Sequence, residues 1–389
     1  MACRIEDLDM NPNYPLFTPA ASSSYVRHCS KSATVSSDES NWYKHPKTKT
    51  SHPAILYSAG HAHLNIKRSR IEEAMIMQRD RSKTLFLSDS GGFTIGTNSL
   101  PGGECFRLDI HGRVADSMRM DNMIWQEAFS DYGMTLDFPA WAVGTPNYLF
   151  QSVEQCLKET VYNLDFIKAN MVSGRIKWLN VVQGKNYEQA KKWYNKVKTY
   201  PFNGWALAGP VAADPDITVK ILMNMWRDGT INPENNWVHV LGRSSLNAVW
   251  ANNIIHRCIR DFVCPNAQIS YDSSSNVQYA VNGIAVVGAR INADELAFTT
   301  DSMPVEKRNA GELCRVFNSN LYTMLEHIER VNSLSTLSIR DLINDRPVPN
   351  VNIRFKQEVL RVFERAASIG IGRFPIDDVD LTEFSNVVG

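Results

Sequence analysis

From Pro53 onward the chain alternates short β-branched or aliphatic runs with amphipathic stretches, and few folds accommodate that rhythm. The candidate strands are Ala54–Ser58, Thr84–Ser88, Met134–Phe138, Ile176–Val182, Trp205–Ala208, Trp237–Leu241 and Gln268–Tyr271. Between them, apolar residues recur at helical spacing. In 152–169 these are Val153, Cys156, Leu157, Val161, Leu164 and Ile167; in 244–262 a Ser-Ser start leads into Leu246, Val249, Trp250, Ile254, Cys258 and Ile259. Residues 187–198 and 215–227 follow the same pattern. Strands interleaved with helices predict a parallel sheet, and so many units in one run predict an α/β fold closed as a (β/α)8 TIM barrel. Seven strands are placed by this reading and the eighth is not. Residues 1–52, rich in Ser, Thr, Lys and His over 18–52, are expected to form a partly irregular N-terminal extension, with ordered contacts through Tyr25, Trp42 and Tyr43. The barrel domain is expected over 53–333. Helical patterns at 311–332 and 353–368, with a Pro-containing linker near 347–349, would close or flank it, and residues 334–389 are expected to be a C-terminal helical segment packing on the barrel. No internal repeat is visible.

Composition narrows the function. Lys and Arg number 41, and so do Asp and Glu. This balance excludes a tail-driven, charge-dominated nucleic-acid binder, although not a local basic groove. The seven Cys, at 3, 29, 105, 156, 258, 264 and 314, are odd in number, irregular in spacing and without a CxxC pair. They argue against a disulfide framework and for a reducing cytoplasm. The start MACRIEDLD reads as no signal peptide. The longest nearly apolar run, Trp205–Ala213, falls far short of the ~18 residues that span a bilayer, so no membrane partner is expected.

Barrel chemistry collects at the C-terminal ends of the strands. Here those ends carry Asp89-Ser90-Gly91-Gly92-Phe93, Asp137-Phe138-Pro139, Gln183-Gly184, Gly209-Pro210, Gly242 and Asp272-Ser273-Ser274-Ser275. Singly, such groups are turns, helix caps or satisfied hydrogen-bonders. Together, three carboxylates, one amide and two glycine-exposed backbones suit a planar polar ligand such as a purine-like base.

In order, the motifs DSGGF, DFP, VVQG, GWALAGP, HVLG and YDSSS resemble those of the tRNA-guanine transglycosylase superfamily, over about residues 80–290. In that family a barrel exchanges guanine for a 7-deazaguanine base. The resemblance implies that Asp272 is the nucleophile and Asp89 the general acid/base. It implies that Ser90, Gly91, Asp137, Gln183 and the backbone of Gly209 hold the base edge, with Phe93 and Leu241 on its faces. His61, His63 and Lys185 are candidate contacts to sugar or phosphate.

Three departures qualify it. Where the tRNA enzymes carry a Pro-Thr-Arg segment that reads a UGU loop, this chain has Asn276, Val277 and Gln278, although Asn282 and Gly283 are recovered. An apolar Val and a neutral Gln do not reproduce an Arg contact. The zinc signature is missing: Cys314 stands alone and no His follows His327, so no zinc or other cofactor is expected. Ala208 and Pro210 also alter the strand end near the base.

These departures make the chain more similar to the phage and bacterial DNA 7-deazaguanine transglycosylases. That resemblance implies double-stranded or locally opened DNA as partner, a 7-cyano-7-deazaguanine-like base as substrate, and protection of DNA from restriction. Candidate phosphate contacts are Lys185, Lys191, Lys192, Lys196 and Lys198, then Lys44, Lys47 and Lys49, then Lys67, Arg68 and Arg70. The rival readings are a tRNA enzyme with a diverged loop, a non-catalytic partner subunit, and a metal-dependent amidohydrolase built on His61-Ala62-His63. The second should lack the three carboxylates, and the third needs further His on the middle strands. The oligomeric state is left open.

Overall fold

The computed structural model describes residues 8, 11–31, 41–43, 52–303 and 310–385. Eight parallel strands form one sheet: β1 (Leu16–Pro19), β2 (Ala54–Ser58), β3 (Leu85–Asp89), β4 (Tyr132–Met134), β5 (Lys177–Val182), β6 (Gly204–Leu207), β7 (Trp237–Val240) and β8 (Gln268–Ser273). Their order is β1-β8-β7-β6-β5-β4-β3-β2. A parallel bridge between Ala20 and Leu56, with the Ala21 amide donating to the Leu56 carbonyl at 2.9 Å, brings the two edges together. The result is a nearly closed (β/α)8 barrel, as the alternation predicts.

The missing strand is β1, inside the segment expected to be an extension. Its four residues, LFTP, are too few to show alternation and end in a proline. They nonetheless pair in parallel with β8, with Thr18 opposite Asp272. The boundary at residue 53 is corrected accordingly: the barrel begins at Leu16. The expected contacts of the early segment are present. Tyr25 and Trp42 are fully buried and stack with ring centroids 4.3 Å apart, while the Tyr43 hydroxyl donates to the Leu85 carbonyl at 3.0 Å.

Side-chain alternation sorts the strands into two cores. Leu16, Leu56, Leu87, Met134, Val181, Ala206 and Trp237 point into the barrel. The alternate residues, such as Phe17, Ile55, Phe86, Trp178, Leu207 and Ile269, face the surrounding helices. The lower barrel is thereby filled with apolar side chains, and polar ones concentrate at the upper rim.

Helices Val153–Asn170, Tyr187–Val197, Pro215–Arg227 and Leu246–Cys258 match the sequence periodicity closely. Val153–Asn170 is fixed at its start by a capping box between Ser152 and Gln155. After β8 the chain makes a short helix and an antiparallel hairpin, β9 (Ile284–Ile291) and β10 (Leu296–Ser302), which the sequence reading did not anticipate. Helix Ala310–Ser335 runs across the expected boundary at 333 and packs on the hairpin and on helix Leu246–Cys258. The terminal segment is strapped to the barrel by the Leu381 amide on Asp216 Oδ1 (2.8 Å) and the Ser385 hydroxyl on Asp214 Oδ1 (2.7 Å). Among the described residues, no helix is long and apolar enough to cross a membrane.

Candidate active site

A cavity of about 610 Å³ opens at the C-terminal ends of the strands. Asp89, Asp137, Asp272, Gln183, Gly209, Leu241, Phe93 and His61 all line it. They come from the ends of seven strands, β2 to β8, so only barrel closure brings them together.

Asp89 ends β3. Ser58, at the end of β2, donates its hydroxyl to Asp89 Oδ2 at 2.8 Å and accepts from the Gly60 amide at 3.1 Å. Burial raises the Asp89 carboxyl above its ordinary value, opposed by the Ser58 hydroxyl and the Gly91 amide and reinforced by the negative field of Asp272. The turn that follows needs its glycines. Gly91 has a φ of +97°, and a Cβ there would come 2.9 Å from the Gly60 Cα.

Asp137 lies beyond the end of β4, three residues after Met134, because the strand stops earlier than expected and the chain turns through Pro139. It is 4% exposed. Burial pushes its carboxyl up to about 7, against the Gln183 amide, which donates to Oδ2 at 2.7 Å; the charge of Asp89 pushes the same way as burial. Gly92 makes this seat possible, since a Cβ there would lie 3.2 Å from Asp137 Oδ1. Gln183 keeps its Oε1 buried without a hydrogen-bond partner among the described residues. A buried acceptor left open at a cavity wall is a place for a ligand donor. Ser90 is buried beside this group, its carbonyl accepting from Asn122 at 2.9 Å.

Asp272 sits near the end of β8, 6% exposed. The Gly242 amide donates to its Oδ1 at 2.7 Å, and His239 Nε2 lies 3.3 Å from the same oxygen. Gly209 has a φ of +58° at the foot of Trp141, and a Cβ there would meet the indole at 3.3 Å and Gln183 Oε1 at 3.4 Å. Trp141 packs against Phe93 with centroids 5.8 Å apart, and Phe93 itself is 65% exposed at the rim. Leu241 also lines the cavity. The N-terminal segment contributes Ala20, Ala21 and Ser22.

His61 and His63 separate. His61 lines the cavity, whereas His63 Nε2 is 2.8 Å from Glu72 Oε2 and turns to helix Ile66–Glu72. The two side chains therefore do not face a common point. Lys185 does not line the cavity either, and its ammonium donates to the Val143 carbonyl. The basic stretch around it is largely neutralised. Lys191 pairs with Asp377 (2.7 Å), Lys192 with Glu154 (3.3 Å) and Lys198 with Asp228 (2.7 Å). Lys44, Lys47 and Lys49 lie outside the described residues. Lys67, Arg68 and Arg70 are exposed on helix Ile66–Glu72, with Arg68 paired to Glu72 at 2.6 Å.

The sequence reading missed Trp141, Arg243 and His239. Arg243 follows Gly242 into the cavity wall and donates to the Ala212 carbonyl at 2.8 Å, with burial lowering its guanidinium to about 10. In the segment that replaces the tRNA-reading motif, Asn276 and Val277 are buried and Gln278 lines the cavity, its amide on the Ser274 hydroxyl at 2.8 Å. Cys314 lies buried beside Cys29. Among the described residues, no group of three His, Cys, Asp or Glu side chains could hold a metal ion.

The fold and site define a (β/α)8 barrel with a carboxylate-rich cavity at its upper rim. No family model matches the chain, and no curated protein sequence matches it significantly.

Proposed function

We propose that this chain is a base-exchange transglycosylase that replaces guanine in DNA by a 7-deazaguanine derivative, 7-cyano-7-deazaguanine being the favoured substrate. The convergence of Asp89, Asp137, Asp272 and Gln183 on one cavity carries the reading. Asp272 attacks the anomeric carbon of an extruded guanosine nucleotide as the bond to N9 breaks. Asp89 gives its proton to the departing base, forming a covalent glycosyl ester and free guanine. The incoming base then returns a proton to Asp89 as its N9 attacks the same carbon, and Asp272 is released. Two displacements retain configuration. A carboxyl raised by burial holds its proton closer to neutral pH, which suits the role of Asp89.

Gln183 Oε1 and the Asp137 carboxyl offer acceptors to the N–H edge of a guanine-like base. Phe93 and Trp141 supply an aromatic wall. DNA is favoured over tRNA because the segment 276–278 presents no cation and two of its three side chains are buried. Extruding the base costs a few kcal/mol. Phosphate contacts fall to the exposed Lys67, Arg70 and Lys196, since Lys191, Lys192 and Lys198 each pair with a carboxylate.

The deciding experiment incubates the chain with radiolabelled guanine and either duplex DNA or tRNA. Label entering DNA, and no adduct from Asp272→Asn under denaturing conditions, is the expected result. Incorporation into tRNA alone would overturn the choice of DNA. Mass spectrometry of digested DNA from expressing cells identifies the inserted base.

A further inference from the structure

β7 and β8 run in parallel with His239 opposite Ser270. Alternate residues of a strand share a face, so Trp237, His239, Ser270 and Asp272 all point into the barrel. His239 and Ser270 are fully buried. They form one hydrogen-bonded line that rises to the site. Trp237 Nε1 donates to Ser270 Oγ at 2.8 Å, Ser270 Oγ lies 2.8 Å from His239 Nδ1, and His239 Nε2 lies 3.3 Å from Asp272 Oδ1.

The line fixes its own protons. An indole N–H can only donate, and a hydroxyl has one proton to give. With Trp237 occupying one lone pair of Ser270 Oγ, the hydroxyl proton has His239 Nδ1 as its acceptor. The imidazole proton then sits on Nε2 and faces the carboxylate. The opposite tautomer would set a nitrogen lone pair against a carboxylate lone pair and strand the serine proton.

We propose that His239 is a positioning residue for Asp272. With the Gly242 amide it gives Oδ1 two donors and presents Oδ2 to the anomeric carbon. The inference rests on the base-exchange reading. In the first displacement Oδ2 forms the bond to carbon while Oδ1 keeps both donors. In the second, the bond between Oδ2 and carbon breaks, its electron pair returns to the carboxylate, and the same two donors stabilise the returning charge.

Two measurements test it on the full chain. The first is the ¹⁵N spectrum of histidine-labelled protein, with the His239 signals assigned by their loss in His239→Gln. Nε2 should be protonated and Nδ1 not, with Ser270→Ala moving the Nδ1 signal and Asp272→Asn moving Nε2. A proton on Nδ1 would overturn the proposal. The second is steady-state exchange. His239→Leu should lower kcat on the order of 100-fold with KM for the free base unchanged. His239→Gln, whose amide can reach Asp272, should recover to within about tenfold at a matched melting temperature. Equal losses in the two variants, or a change confined to KM, would overturn it. Wild-type protein that exchanges no base in DNA or tRNA would instead sink the base-exchange reading, while the ¹⁵N spectrum still decides whether His239 holds Asp272.

Discussion

Asp137 gives the site a pH signature that can be read without knowing the substrate. Its carboxyl has an ordinary value of 3.8 and burial pushes it up to about 7. An acid that ionises more easily when unfolded draws the equilibrium toward the unfolded chain as pH rises. Its contribution to stability is therefore fully present below 3.8, falls between there and about 7, and is constant above. Linkage over that interval gives a loss of about 2.6 kcal/mol between pH 5 and pH 8. Asp137→Asn removes the titration but keeps an oxygen that can accept from Gln183. Urea unfolding of both proteins at the two pH values should show wild type losing about 2–3 kcal/mol more than the variant on going from pH 5 to pH 8. Asp89 is raised too, first by burial and then by the charge of Asp272, but it titrates in both proteins. Parallel pH responses in the two proteins would refute the claim that burial holds this carboxyl near neutrality.

Three further perturbations probe fold and site. Phe17→Ala should cost about 3–5 kcal/mol in urea unfolding, because Phe17 is 2% exposed and packs 5.4 Å from Tyr271; a loose extension would register almost nothing. Gly91→Ala should lower the melting temperature and exchange together, since the φ of +97° adds about 1–2 kcal/mol and the new Cβ meets backbone at 2.9 Å. Phe93→Ala should leave stability within about 0.5 kcal/mol, the ring being 65% exposed, yet raise the KM for DNA about tenfold through lost base stacking; an unchanged KM would remove Phe93 from the binding surface.

What the sequence discloses depends on how local each signal is. Strands β2 to β8 and four of the five long helices between them are written in short-range periodicity, so their positions are legible to within a few residues; the fifth, Arg113–Phe129, is not placed by the sequence reading. β1 is not, because four residues cannot display a period and their pairing partner is 253 positions away, where the Thr18 hydroxyl meets the Tyr271 carbonyl. The carboxylates are legible because each falls at a strand end. His239 is misleading for the opposite reason: it lies within its strand, and only the parallel register with Ser270 and Asp272 gives it a task. Charge clusters mislead most. Lys191 reads as a free cation until the fold brings Asp377 to it from 186 positions along the chain.

One cavity holds three acids. Burial raises both Asp89 and Asp137, and the negative charges nearby push the same way. The barrel meets this by giving each a different set of donors. Asp89 receives a side-chain hydroxyl, Asp137 one amide donor, and Asp272 a backbone amide with an imidazole beside it. In the proposed exchange, environments that differ in this way would let residues of one type take the separate tasks of proton carrier, base reader and nucleophile. Each donor comes from a neighbouring strand end: β2 for Asp89, β5 for Asp137, β7 for Asp272. A site of this kind depends on the parallel register of the whole rim, and the division of roles is a property of barrel closure before it is a property of any single residue.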